Sequence, residues 1–251
     1  MLSRLFRRAA SGPPPSGPPG TRLYAVGDIH GRVDLLAQIH SQILADAAEA
    51  DAARHVVIYL GDYIDRGPAS KGVVDLLLHH PLPGFEAVHL KGNHEQALLE
   101  FLENIETAPD WLSFGGAATL ASYGVELDDK AGGLAVLRRA QAELRHSMPR
   151  DHADFYRRLK LSHQEGDFFL VHAGVRPHVP LEAQSEEDLL WIRHEFLQSK
   201  ERFGKFIVHG HTITEVPEIR PNRIGIDTGA FHTNRLTCLV VQDAEFDFLQ
   251  S

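Results

Sequence analysis

The sequence predicts an α/β fold in which parallel strands alternate with helices, and three observations lead there. An apolar run of strand length is followed by a glycine-bearing polar turn and then a helical period, three times in succession between residues 23 and 102. Each polar turn falls at the carboxyl end of its strand, where open α/β sheets place their ligands. Strands ending in histidine-bearing turns resume after residue 160.

The first strand, residues 23–26, runs into Gly27-Asp28-Ile29-His30-Gly31, and Leu35, Leu36, Ile39, Ile43 and Leu44 then make one apolar helix face. Val56-Val57-Ile58-Tyr59-Leu60 reads as a strand buried on both faces, ending in Gly61-Asp62-Tyr63-Ile64-Asp65-Arg66-Gly67. A helix is predicted over 70–79, stopped by Pro81 and Pro83. Residues 87–90 form the third strand, leading to Lys91-Gly92-Asn93-His94-Glu95 and a helix carrying Leu98, Leu99 and Leu102. This alternation implies parallel strands joined by right-handed crossovers.

Residues from about 108 to 160 break the rhythm. Trp111, Phe114-Gly115-Gly116 and Tyr123-Gly124 precede an alanine-rich polar stretch, and the segment reads as a helical cap inserted into the sheet domain. Trp111, Phe114 and Tyr123 are expected to pack that cap. Strands then follow at 167–171, ending in His172-Ala173-Gly174, at 206–208 before His209-Gly210-His211-Thr212, and at 224–226 before Asp227-Thr228-Gly229. The run 237–241 is expected to be the final strand.

At 251 residues, 43% hydrophobic and 24% charged, residues 21–251 suffice for one large domain with an insertion. A net charge of -9 argues against a general nucleic-acid binder and favours a site that attracts cations. The only cysteine, Cys238, lies in an apolar run, so no intrachain disulfide can form and thiolate metal sites are not expected. No apolar run approaches the roughly 18 residues of a membrane span, so no stable membrane insertion is expected and the location is read as cytoplasmic. Residues 1–20, with Arg4, Arg7 and Arg8 followed by a Pro/Gly-rich stretch, read as a disordered leader. They lack the apolar centre of a secretory signal. A short amphipathic membrane contact is the alternative reading.

Five strand ends thus present Asp28 with His30, Asp62 with Asp65, Asn93 with His94, His172, and His211. Any one could be a turn former. Turn chemistry gives no reason for imidazoles and a carboxamide to recur along one sheet edge. Carboxylate, imidazole and amide oxygen without thiolate suit Mn²⁺ first, with Fe or Zn²⁺ as alternatives. The donors suffice for two ions, which a shared aspartate could bridge at about 3.5–4 Å. Arginine close by implies an anionic substrate, because a planar guanidinium grips phosphate through two hydrogen bonds.

In order and spacing, the three motifs at 27–31, 61–67 and 92–95 resemble the signatures of the phosphoprotein phosphatase (serine/threonine) branch of the calcineurin-like metallophosphoesterases. His172-Ala173-Gly174 and Gly210-His211-Thr212 match its remaining metal motifs. The resemblance covers about residues 22–241 and implies a four-layer α/β/β/α sandwich of mixed sheets. It implies that Asp28, His30 and Asp62 hold one divalent metal ion, and that Asp62, Asn93, His172 and His211 hold a second. Arg66 would bind phosphate oxygens, with Arg193 as the best match to a second phosphate arginine. His94 would be the general acid, oriented by Asp65. Asn93 and Lys91 are the further substrate-binding candidates, Lys91 standing where the family usually has Arg and keeping the charge without the fork.

Other positions have their own readings. His209 is the competing ligand two residues before His211, Asp227 is expected to be structural, and His40, His79, His80 and His163 are surface or satisfied residues. Ile213 occupies a position that carries histidine in the nuclease and phosphodiesterase branches, which counts against them. The resemblance is to compact bacterial and phage members. It implies a metal-dependent phosphomonoesterase acting on phosphoserine or phosphothreonine in proteins, with a dinucleoside tetraphosphate hydrolase as the close alternative. A catalytically silent binding module ranks below both, because every catalytic position is filled.

Overall fold

The computed structural model describes residues 14–127 and 133–251. Ten strands form two five-stranded sheets among the described residues. The first has the order β10-β9-β1-β2-β3, built from β1 (Thr21–Val26), β2 (Arg54–Tyr59), β3 (Glu86–His89), β9 (Thr237–Gln242) and β10 (Glu245–Gln250). β1 to β3 are parallel, while β9 and β10 are antiparallel neighbours. The second sheet has the order β4-β5-β6-β8-β7, with β4 (Ser162–Glu165), β5 (Phe168–Val171), β6 (Phe206–His209), β7 (Glu218–Arg220) and β8 (Arg223–Gly225). Its three inner strands are parallel and its two edges antiparallel.

Side-chain alternation along the strands explains how the sheets stack. Leu23 and Ala25 of β1 face one core with Phe168 and Leu170 of β5 and Val208 of β6. Tyr24 and Val26 face the other way, against α1 (Val33–Glu49), α2 (Ser70–His79) and α3 (Asn93–Glu103). Phe169 and Val171 likewise turn outward, onto Leu189 of α8 (Glu186–Trp191) and Phe196 of α9 (His194–Leu197). The result is four layers, with the two sheets face to face between two helical layers.

Two expectations need correction, and the helical segment between them gains a place in the layers. The parallel alternation missed three edge strands: β10 follows 237–241 and closes a hairpin with it, and β4 and β7 are short and mostly polar. The segment after α3 is helical, as α4 (Ala108–Ser113), α5 (Gly116–Ser122), α6 (Leu134–Ser147) and α7 (Arg150–Arg158). Trp111, Leu120, Tyr123, Leu144, Phe155 and Tyr156 share one core with Tyr59, Tyr63, Leu98 and Phe101, so these helices extend the outer layer of the first sheet. The leader is tied down before residue 20. Ser16 accepts from the Asp167 amide at 2.9 Å and Gly17 donates to Asp243 O at 2.8 Å, joining one turn of each sheet. Residues 1–13 of that expected leader lie outside the described residues.

Candidate functional site

The parallel strands point their carboxyl ends the same way, so the turns after β1, β2, β3, β5 and β6 meet at one edge of the sandwich. The chain must turn sharply there to keep donor atoms close. His30, Asp62, Asp65, Arg66 and His211 all adopt left-handed φ, between 46° and 70°. This conformation is uncommon for residues other than glycine and concentrates at functional sites. The turns after β2 and β3 nearly touch. A Cβ on Gly92 would lie 2.1 Å from Asp62 Oδ1, so only glycine allows that approach.

Asp62 lies at the centre. Its Oδ2 is 3.5 Å from His30 Nε2 and 3.7 Å from His94 Nε2, and its Oδ1 is 3.5 Å from His172 Nε2. Ligand-type atoms of His30, Asp62 and His94 lie within 4.8 Å of one another, as do those of Asp62, His172 and His211. All five residues are buried. Asn93 Oδ1 and His211 Nδ1 stand 2.9 and 3.2 Å from His172 Nε2.

These donors fit a pair of divalent cations. The Nδ1 atoms of His30 and His172 lie 2.8 and 2.9 Å from the carbonyls of Ile64 and Leu60. A carbonyl only accepts, so each Nδ1 carries the hydrogen and each Nε2 turns a lone pair into the site. Around His172 Nε2 the neighbours are themselves acceptors, an amide oxygen and a carboxylate. Such convergence of lone pairs is relieved by a cation. Asp28 Oδ1 and His211 Nε2 are buried without a hydrogen-bond partner among the described residues.

Electrostatics agree. Burial pushes His30 down to about 3, outweighing the opposing pull of Asp62, and holds His211 low as well, so both imidazoles are neutral ligand forms. Burial, then the Asp227 and Asp62 carboxylates, push Asp28 well above the usual range. A bound cation reverses that balance. Asp227, expected to be structural, is itself buried and held up to about 6, chiefly by burial, beside this acid cluster.

The phosphate-binding candidates divide. Arg66 is exposed, with Nη1 3.0 Å from His30 Nε2 and its guanidinium 4.9 Å from the Phe231 ring centroid. Arg193 donates to His211 O at 3.2 Å and Thr212 Oγ1 at 3.1 Å, beside the second donor group. Lys91 turns elsewhere. Its ammonium bonds Glu186 at 2.9 Å and Gln96 at 3.2 Å. His209 is held by Gly210 O and Arg223 and belongs to neither donor group.

His94 and Asp65 form a buried pair, with Nδ1 2.7 Å from Oδ2. Burial opposes charge on His94, yet Asp62 and the Asp65 hydrogen bond hold its pKa above the ordinary imidazole value. Two supports were not foreseen. Trp111 donates its indole N–H to Asp65 Oδ2 at 3.0 Å, and Thr119 donates its hydroxyl to Oδ1 at 2.6 Å. Glu95 accepts the amides of Asp62, Tyr63 and Gly92 at 2.8–2.9 Å and so straps two turns together.

Comparison with known proteins gives this geometry its context. Residues 21–220 match the model of the calcineurin-like phosphoesterase family. A bis(5'-nucleosyl)-tetraphosphatase PrpE (asymmetrical) of Oceanobacillus iheyensis is 22% identical over 88% of this chain and 89% of its own. Serine/threonine-protein phosphatase 2 of Escherichia coli is 27% identical over 86% of this chain and 90% of its own. The fold resembles the crystal structure of a candidate diadenosine tetraphosphatase, with a TM-score of 0.61, 21% identity and coverage of 92% and 93%. It also resembles a serine/threonine phosphatase of Saccharomyces cerevisiae, with a TM-score of 0.53, 14% identity and coverage of 99% and 86%. With a family match over most of its length and two acid-and-imidazole groups sharing one aspartate, the chain belongs to the calcineurin-like phosphoesterases, enzymes that hydrolyse phosphoester bonds with a pair of metal ions.

Proposed function

We propose that the protein is a phosphomonoesterase acting on phosphoserine or phosphothreonine in proteins, loaded with Mn²⁺. The observation that carries this reading is the buried His94–Asp65 pair. A serine or threonine alkoxide is a poor leaving group and must be protonated as the P–O bond breaks. The leaving group of a nucleoside polyphosphate is a phosphate anion, far less basic, and needs no dedicated acid. His94 Nδ1 is committed to Asp65, which leaves Nε2 turned to the Asp62 side to deliver a proton to the leaving oxygen.

Asp28, His30 and Asp62 would hold one cation, and Asp62, Asn93, His172 and His211 the other. When bound, the pair supplies an activated water near neutral pH and neutralises phosphate charge. Arg66 and Arg193 bind the non-bridging oxygens and hold phosphorus in line. The groove beside Trp191 supports a peptide over a polyanion. It is lined by Gln96, Leu190 and three acids, Glu100, Glu186 and Glu187, which repel a tetraphosphate chain.

A hydrolase of dinucleoside tetraphosphates is the second reading. Trp191 favours it: the indole is 37% exposed and stands 6.2 Å from the His211 ring, in position to stack on a base. Turnover of a phosphothreonine peptide and of diadenosine tetraphosphate with Mn²⁺, measured side by side with Asp62→Asn as the blank, tests the two. Higher kcat/KM on the peptide supports the first reading. Higher kcat/KM on the dinucleotide overturns it.

A further inference from the structure

We propose that Trp111 and Thr119, carried by the inserted helices, are positioning residues for proton delivery: they fix the Asp65 carboxylate so that His94 presents Nε2 to the leaving oxygen. The inference rests on the reading of His94 as the acid.

Asp65 is fully buried, and three side-chain donors fill its oxygens. His94 and Trp111 share Oδ2, at 2.7 and 3.0 Å, and Thr119 takes Oδ1 at 2.6 Å. The hydroxyl ordering closes on itself. Thr119 gives its hydrogen to Asp65 and accepts from the Asp65 amide at 2.9 Å, while Ser70 Oγ lies 2.9 Å from Thr119 Oγ1 and accepts the same amide at 3.0 Å. Every polar atom in the ring has a partner, the condition under which a buried network holds one geometry.

Packing alone would not select an indole at 111. Its ring stacks on Phe101 at 4.6 Å, a contact any aromatic could make, but its N–H needs an acceptor, and that acceptor is Asp65. The indole cannot tilt away. A Cβ on Gly116 would come within 2.5 Å of it, so the α5 backbone already lies against the ring. The preceding Gly115 accepts the Arg66 amide at 3.3 Å, with φ at 105°. The inserted helices therefore brace both the acid pair and the phosphate-binding turn.

A positioning role separates from a structural one by leaving group. Phenyl phosphate needs its leaving oxygen protonated, whereas p-nitrophenyl phosphate does not. The Mn²⁺-loaded full chain is assayed on both, and the readout is the ratio of kcat on the two. Trp111→Phe keeps the stack and Thr119→Val keeps the shape. Each is expected to lower kcat on phenyl phosphate about tenfold more than on p-nitrophenyl phosphate, the worth of one hydrogen bond to a charged group. His94→Asn should skew the ratio by about a hundredfold, the scale of general acid catalysis. Thr119→Ser, which restores the hydroxyl, should recover most of the ratio. If Trp111→Phe and Thr119→Val slow both substrates equally while His94→Asn skews the ratio, the positioning role is refuted and the acid stands. If His94→Asn leaves the ratio unchanged, the acid assignment falls and takes the proposal with it. Should Trp111→Phe fail to fold, Thr119→Val decides.

Discussion

The Glu95 carboxylate accepts the backbone N–H of Asp62 at 2.9 Å, so a residue of α3 sets the position of the aspartate shared by both donor groups. Its second oxygen takes Tyr63 at 2.8 Å and Ile64 at 3.4 Å. Burial and the Asp62 charge push its pKa up to about 8, but four backbone N–H groups and no acceptor point at its two oxygens, an arrangement that a carboxylate satisfies and a protonated acid does not. Glu95→Gln would set an NH₂ against one pair of those amides. The expected cost is about 3 kcal/mol of unfolding free energy, the scale of unsatisfied buried donors facing a charged site. Urea denaturation of both proteins checks it, and an unchanged midpoint would remove Glu95 from this role.

Asp62 serves both donor groups, so its carboxylate should govern metal-dependent stability. At a hundred times its dissociation constant, Mn²⁺ at one site stabilises the native chain by about 2.7 kcal/mol, and two sites by about twice that. Asp62→Asn should lose most of this gain while unfolding normally in chelator. A variant whose thermal midpoint rose with Mn²⁺ as far as the wild type would sink the shared-aspartate arrangement.

Arg66 holds a planar guanidinium over Phe231 beside His30. Lysine keeps the charge but neither the fork nor the stack. Arg66→Lys is expected to lower kcat/KM about a hundredfold, as one bidentate phosphate contact is lost. Phe231→Leu should cost only about threefold, the scale of an exposed cation–π contact. Equal losses in the two would mean that the ring, and not the fork, positions the phosphate.

Acid should destabilise the fold through histidines outside the site. His89 stacks on Tyr59, with ring centroids 5.1 Å apart, and its Nε2 has no hydrogen-bond partner among the described residues. Burial, with a smaller push from His40, lowers its pKa to about 4. Because the unfolded chain takes up the proton first, stability is full above the unfolded value near 6.5 and drains away as pH falls toward 4. At pH 5 the loss is about 2 kcal/mol for this residue. His89→Phe should unfold at a higher urea concentration than wild type at pH 5, with a smaller difference at pH 7.5. Parallel pH profiles for the two proteins would contradict this.

The sequence made the donor residues legible because each sits in a turn whose neighbours announce it. Gly61 and Gly67 bracket Asp62 and Asp65, and an apolar strand leads into them. It hid what depends on distant chain meeting distant chain. Thr119 reaches Asp65 from 54 residues away and Trp111 from 46, with no local pattern in common. Edge strands were lost for a different reason. Ser162–Glu165 has no apolar face to show, because one edge of it meets water. Glu245–Gln250 did carry a signal, the alternation of Phe246 and Phe248 with acids, which marks a half-buried strand. Lys91 lacks the fork of the arginine usual at its position, and its flexible stem lets it settle on Glu186.

The donor set is divided between the sheets. Asp28, His30, Asp62 and Asn93 follow strands of the first, and His172 and His211 follow strands of the second. The first sheet alone carries the donors of one cation, but the second cation needs donors from both, so catalysis doubles as a gauge of whether the two halves are seated together. A chain with one sheet native and the other slipped would be inactive rather than impaired, and damage anywhere along the shared apolar seam would register as silence at the catalytic edge.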